Sequence, residues 1–185
     1  MVKLLIVRHA KTEWNKTGRI QGRSDVPLAE ESREQSAKLW QQLADKEISA
    51  VLSSPLSRAV DTAKLITDGR YEIVTDARLI ERDFGEYEGK TYAELNLADH
   101  DKLFFALDGV KDVEKSESIF NRVRSFVEDV KKTYDGKTVL VVSHGVCISF
   151  LKFASNHKVW NEKLYDMGYV KNLTLTEITI GEDEE

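Results

Sequence analysis

Leu4, Leu5, Ile6 and Val7 are four apolar residues in a row, and such runs recur down the chain between longer stretches of helical period. An apolar run without alternation marks a strand covered on both faces. Strands are predicted at Lys3–Val7, Ala50–Leu52, Glu72–Val74, Thr138–Val142 and Leu173–Ile180. Helical patterns cover Ala29–Asp45, Pro55–Thr67, Ser116–Thr133 and Cys147–Ser155; in the first, Ser36, Leu39, Trp40 and Leu43 share a face. Strands alternating with helices predict an α/β domain with a largely parallel sheet. The stretch 91–115 breaks the alternation and is expected to form a short helical insertion over one edge.

A chain of 185 residues fits a single domain, residues 1–185, with an acidic tail at 181–185. The net charge is −5, and nearly all of it lies in Glu182, Asp183, Glu184 and Glu185. The nearly neutral body has no basic face of the kind that binds nucleic acid, and the tail is expected to be a solvated end. Cys147 is the one cysteine, so no internal disulfide forms; within an apolar helical pattern it reads as a small buried hydrophobe. No charged-then-apolar leader precedes the first strand and no apolar run approaches membrane-spanning length, which predicts a cytoplasmic protein with no membrane partner.

Candidate chemistry gathers at strand ends. The first strand runs into VRHAKTEWN, the second into SSPLSRAVDTA and the fourth into VVSHGV. Parallel α/β sheets build their sites at carboxyl ends of strands, beside helix N-termini. Ser54 is predicted as an N-cap with Pro55 as the first helical residue. That places Arg58 in the first helical turn, where a cation opposes the helix dipole unless an anion sits nearby. Gly145, lacking a Cβ, would let a ligand approach the backbone beside His144. Singly, such residues are ordinary: a histidine at a strand end is more often structural, and an arginine in a first turn is usually solvated. Together, Arg8, His9, Arg58 and His144 suit a small, strongly anionic ligand, and phosphate fits best. The segment LIERDFGEYEG adds acids, among which sequence physics alone does not rank Glu81, Glu86 and Glu88. Asp99-His100-Asp101 lacks companion histidines and reads as a solvated loop, so no metal site is expected.

Arg8-His9-Ala10 followed by Thr12, Trp14 and Asn15 resembles the signature of the histidine phosphatase superfamily, the phosphoglycerate mutase-like family. IQGRSDVPLAEE, SSPLSRAVDTA, LIERDFGEYEG and VVSHGV resemble its later motifs, in order, along nearly the whole chain. The resemblance implies a three-layer α/β/α fold with the insertion over the active site. It implies His9 as the nucleophile that forms a phosphohistidine, and Arg8, Arg58 and His144 around the phosphoryl oxygens. Glu81 would be the proton donor, and Thr12, Asn15, Gln21, Gly22 and Gly145 would line the phosphate and substrate side. No metal or other cofactor is implied.

The chain departs from the family pattern at Ala10 and Ser32, where glycine is commoner, and at Val113-Glu114-Lys115, where the family has Gly-Glu-Ser. Residues 91–115 contain no arginine, whereas glycolytic mutases carry a basic pair there for the substrate carboxylate. The expectation is therefore a metal-independent phosphatase acting on a small phosphorylated metabolite. Phosphoglycerate mutase-type phosphoryl transfer and a non-catalytic phosphate-binding protein are the alternatives.

Overall fold

Leu4 and Ile6 face one side of the first strand, Leu5 and Val7 the other, and all four are fully buried. That double burial makes this strand, β1 (Val2–Arg8), the middle of the molecule. In the computed structural model, residues 1–96, 107–156, 159 and 170–181 are described. β1 pairs in parallel with β4 (Thr138–Ser143), which pairs in parallel with β2 (Ile48–Ser53). β3 (Ile73–Thr75) adds a parallel edge and β5 (Leu175–Ile180) an antiparallel one, giving the order β3-β2-β4-β1-β5.

One apolar cluster joins Leu4, Ile6, Leu52, Val139 and Val141 to two helices, α4 (Ser116–Thr133) and α5 (Gly145–Ala154). The other joins Leu5, Val7, Val51, Leu140 and Val142 to α2 (Ser32–Leu43) and α3 (Ser57–Ile66). The sheet thus lies between two helical layers. In α4, Ile119, Val123, Phe126, Val127 and Val130 are buried at helical spacing, each contributing about 1.5–3 kcal/mol of transfer free energy. A short α1 (Glu13–Lys16) follows β1 and is closed by a capping box between Thr12 and Asn15.

The pairing register sets the site. Arg8 stands opposite Ser143, and Ser53 opposite Val142, so three adjacent strands end level with one another. The next backbone groups extend the ladder, His9 N–H donating to the Ser143 carbonyl and Ser54 N–H to that of Val142.

The start of α3 differs from the prediction. Helix α3 begins at Ser57 rather than Pro55, after Leu56 in extended conformation. The cap comes from outside the helix: Asp25 accepts from both the Ser57 amide and its hydroxyl, which puts the expected anion at this N-terminus. The centre of the expected insertion, residues 97–106 with Asp99-His100-Asp101, lies outside the described residues, as does the tail at 182–185; its described flanks, 92–96 and 107–113, are turns. Among the described residues no helix is long and apolar enough to cross a membrane.

Leu43 on α2 is fully buried, whereas Val74 on β3 is half exposed. Leu43→Ala is expected to lower unfolding free energy by about 2–5 kcal/mol in urea titrations, and Val74→Thr by no more than about 0.5 kcal/mol.

Candidate active site

The level ends of β2, β4 and β1 open into a cleft of about 520 Å³, open solvent at its mouth included. Arg8, His9, Arg58, Glu81, Asn15, Gln21, Gly22 and Gly145 all line it. His144 and Thr12 do not: each is fully buried one layer behind. The His144 ring lies 5.1 Å, centroid to centroid, from that of His9, and the Thr12 hydroxyl donates to Gln21 Oε1 at 2.8 Å.

His9 is held on every side. Its amide is in the sheet ladder, its carbonyl accepts from Asn172 Nδ2 at 2.8 Å, and the following Ala10 amide donates to the Thr62 hydroxyl on α3. The ring nitrogen Nδ1 lies 2.7 Å from the Ala10 carbonyl oxygen. A carbonyl can only accept, so Nδ1 carries the hydrogen and the neutral ring keeps its lone pair on Nε2. Burial, and then the charges of Arg58 and Arg8, hold this imidazole well below its ordinary pKa of 6.5; the Ala10 carbonyl opposes them. His144 is likewise held down by burial first, then by Arg58, His9 and Arg8. Its Nε2 meets the Ser54 hydroxyl at 2.7 Å, while its Nδ1 is buried without a partner among the described residues. Ser54 therefore serves His144, and only weakly the helix start, where its hydroxyl accepts from Leu56 N–H at 3.3 Å.

The two arginines reach the cleft differently. Arg8 continues β1, donates from Nη1 to the Val170 carbonyl, and lies flat against Gly145. A Cβ on Gly145 would come within 3.3 Å of the Arg8 guanidinium carbon, so the bare Cα there makes room for Arg8. Arg58 is fully buried, which pulls its pKa down to about 10 against the opposing charges of Glu81, Asp25 and Glu88. It remains a cation at neutral pH.

The three acids of LIERDFGEYEG separate by environment. Glu81 is buried at the cleft, where its carboxylate accepts from the backbone amides of Val146 and Cys147 at the start of α5 and from that of Arg82. Glu86 is exposed. Glu88 is occupied by four donors: the amides of Arg23, Ser24 and Phe84, and the Ser24 hydroxyl. The Ser143 hydroxyl donates to the Leu79 carbonyl and so ties the Glu81 segment to the end of β4.

Several supporting groups are given no role at the site by the sequence patterns. Arg82 is fully buried; it donates to Asp108 and to the Glu114 carbonyl, and Asp108 also accepts from the amide and hydroxyl of Ser116. This places a hydroxyl one residue after Lys115, the position where the family's serine is replaced. Asn172 precedes β5 in a stretch without periodicity. Cys147 is buried with its thiol pushed up to about 11 by burial, so it stays protonated. The outer cleft is lined by Ile20, Phe84, Tyr92, Val146 and Arg19. Among the described residues no three His, Cys, Asp or Glu side chains cluster as metal ligands would.

Residues 4–185 match the family model of the Histidine phosphatase superfamily (branch 1). Phosphoserine phosphatase 1 of Hydrogenobacter thermophilus is 36% identical over 152 residues, covering 79% of this chain and 72% of that protein. Phosphoglycerate mutase-like protein 4 of Arabidopsis thaliana is 31% identical over 158 residues, covering 80% and 69%. The crystal structure of phosphoserine phosphatase from Entamoeba histolytica, in complex with 3-phosphoglyceric acid, superimposes with a TM-score of 0.78 at 30% identity, covering 96% of this chain and 90% of that one. The superfamily match and the phosphoserine phosphatase relatives support phosphatase activity.

Buried neutral in the native state and free to protonate when unfolded, His9 and His144 couple stability to pH. Below about pH 6.5 the unfolded chain binds more protons than the native one. The stability they contribute is full above that pH and is lost as pH falls toward their depressed native values. Urea midpoints are expected to fall between about pH 6.5 and pH 5, and to fall less in His144→Asn. A midpoint constant through that window contradicts the neutral assignment.

Proposed function

The chain belongs to the histidine phosphatase superfamily, and from that premise we propose that it hydrolyses small phosphomonoesters through a phosphohistidine on His9. The observation that carries the reading is the contact of His9 Nδ1 with the Ala10 carbonyl, which leaves Nε2 unprotonated and available for attack. The buried ring stays neutral beside two arginines, so the nucleophile needs no base to activate it.

In the first step Nε2 forms a bond to phosphorus as the ester oxygen departs. The three phosphoryl oxygens carry the charge of a loose transition state, and Arg8 and Arg58 offer donors to them, with the His144 ring packed behind His9. Glu81, protonated when substrate is bound, gives that proton to the departing oxygen, then as a carboxylate takes one from the water that attacks phosphorus and releases His9. Asn15, Gln21, Gly22 and Gly145 line the phosphate side, and Thr12 supports Gln21 from behind. Ile20, Phe84, Tyr92 and Val146 would meet the organic group, with Arg19 suited to an acidic substituent on it. The side-chain cations supply the neutralisation, so the reaction is metal-independent in this reading. Hydrolysis is preferred to a mutase reaction because the insertion, residues 91–115, lacks the arginine pair that the resemblance assigns to glycolytic mutases.

A panel of phosphorylated hydroxy and amino acids, sugars and nucleotides, assayed for free phosphate without added metal, tests this. Wild type is expected to release phosphate from at least one acid ester, without positional transfer and unaffected by EDTA. His9→Ala should lower the rate by about 10³-fold or more, and Glu81→Gln by about 10²–10⁴-fold. Equal release by wild type and His9→Ala would remove His9 as the nucleophile, and a positional isomer as main product would make the protein a mutase.

A further inference from the structure

Glu88 lies outside the cleft lining, yet its carboxylate touches the backbone that holds Arg58. The peptide unit joining Gly22 to Arg23 is bound at both ends. Its N–H donates to Glu88 Oε1 at 2.8 Å, and its carbonyl accepts from Arg58 Nη2 at 2.7 Å. One residue on, the Ser24 amide and hydroxyl donate to Glu88 Oε2, and the Ser24 carbonyl accepts from Arg58 Nη1 at 2.7 Å. Both terminal nitrogens of Arg58 are thus held by carbonyls of a loop that Glu88 fastens from behind. The fourth donor, the Phe84 amide, ties the same carboxylate to the segment carrying Glu81.

Gly22 shows how close this packing is. Its φ is +53°, and a Cβ there would lie 1.9 Å from Glu88 Oε1. A side chain at 22 would have to displace the carboxylate, so the glycine is explained by Glu88 as well as by its place on the cleft. A peptide group that donates to an anion is polarised, and its carbonyl becomes a stronger acceptor. Glu88 therefore acts on Arg58 in two ways, fixing the carbonyls that orient it and opposing, with Glu81 and Asp25, the cost of its burial. Arg58 Nε is buried and without a partner among the described residues, which leaves it a donor to offer.

We propose that Glu88 is a positioning residue: through the Gly22–Ser24 loop it sets the guanidinium of Arg58 for a phosphoryl group, without touching that group itself. This rests on the phosphate-site reading above. Calorimetric titration of the full chain with inorganic phosphate tests it without requiring turnover. Glu88→Gln places an amide NH₂ among N–H donors, and phosphate affinity is expected to fall about tenfold or more. In an Arg58→Gln background the same change should weaken binding by less than about twofold. Glu86→Gln, exposed on the same segment, should match wild type. The same pattern is expected in KM where an ester substrate is available.

Equal phosphate affinity in wild type and Glu88→Gln overturns the proposal, as does a full tenfold loss that persists in the Arg58→Gln background. A wild type that binds no phosphate overturns the site reading itself, and this proposal with it. Where Glu88→Gln fails to fold, judged by near-UV circular dichroism, Glu88→Asp replaces it. Its shorter side chain cannot span the four donors, and affinity is expected to drop several-fold; no drop is the overturning result.

Discussion

Arg8 opposite Ser143, and Ser53 opposite Val142, is the constraint from which the cleft follows. These pairings bring β1, β4 and β2 to a common end, so His9, His144 and Ser54 emerge side by side from segments far apart in sequence. A shift of one residue in any of the three would send each side chain to the opposite face of the sheet. The register is fixed by burial on both faces, because Leu4 and Ile6 belong to one core and Leu5 and Val7 to the other. The apolar run that opens the chain therefore aims the polar pair that follows it.

The cleft concentrates positive charge in a dry setting, and the protein manages that cost locally. Arg8 rests on a glycine and donates to the Val170 carbonyl. Arg58 is held by two carbonyls whose loop is tied to Glu88, while Asp25 caps the helix that carries it. The two histidines respond in the opposite sense, shedding their protons because both burial and the arginines oppose a further charge. An anion entering this cleft meets cations already in place, with little reorganisation needed.

Much of the architecture is legible in the chain because its causes are local. Uninterrupted apolar runs identify the central strands, and the spacing of Ile119, Val123, Phe126 and Val130 identifies α4. What escapes a linear reading depends on residues meeting across the fold. Ser54 looks like a helix cap, but its short contact goes to His144, a residue 90 positions away. The start of α3 moves to Ser57 because Asp25 arrives from another loop. Arg82, Asp108 and Ser116 form a buried group with no shared motif, and Asn172 reaches His9 from an irregular segment. Glu81, Glu86 and Glu88 are alike in sequence; burial, exposure and four backbone-directed contacts separate them. The antiparallel direction of β5 also has no local signature, since its residues alternate as they would in either orientation.

In the proposed mechanism, phosphorus passes to His9 Nε2 before it reaches water. Mixing the enzyme with a ³²P-labelled substrate, quenching in alkali during turnover and mapping the label by peptide mass spectrometry observes that step directly. The expected result is a base-stable, acid-labile phosphoryl group on His9, in the Nε2 isomer, that decays at the rate of turnover. Label on another residue, or turnover with no labelled enzyme at any time after mixing, would contradict the account.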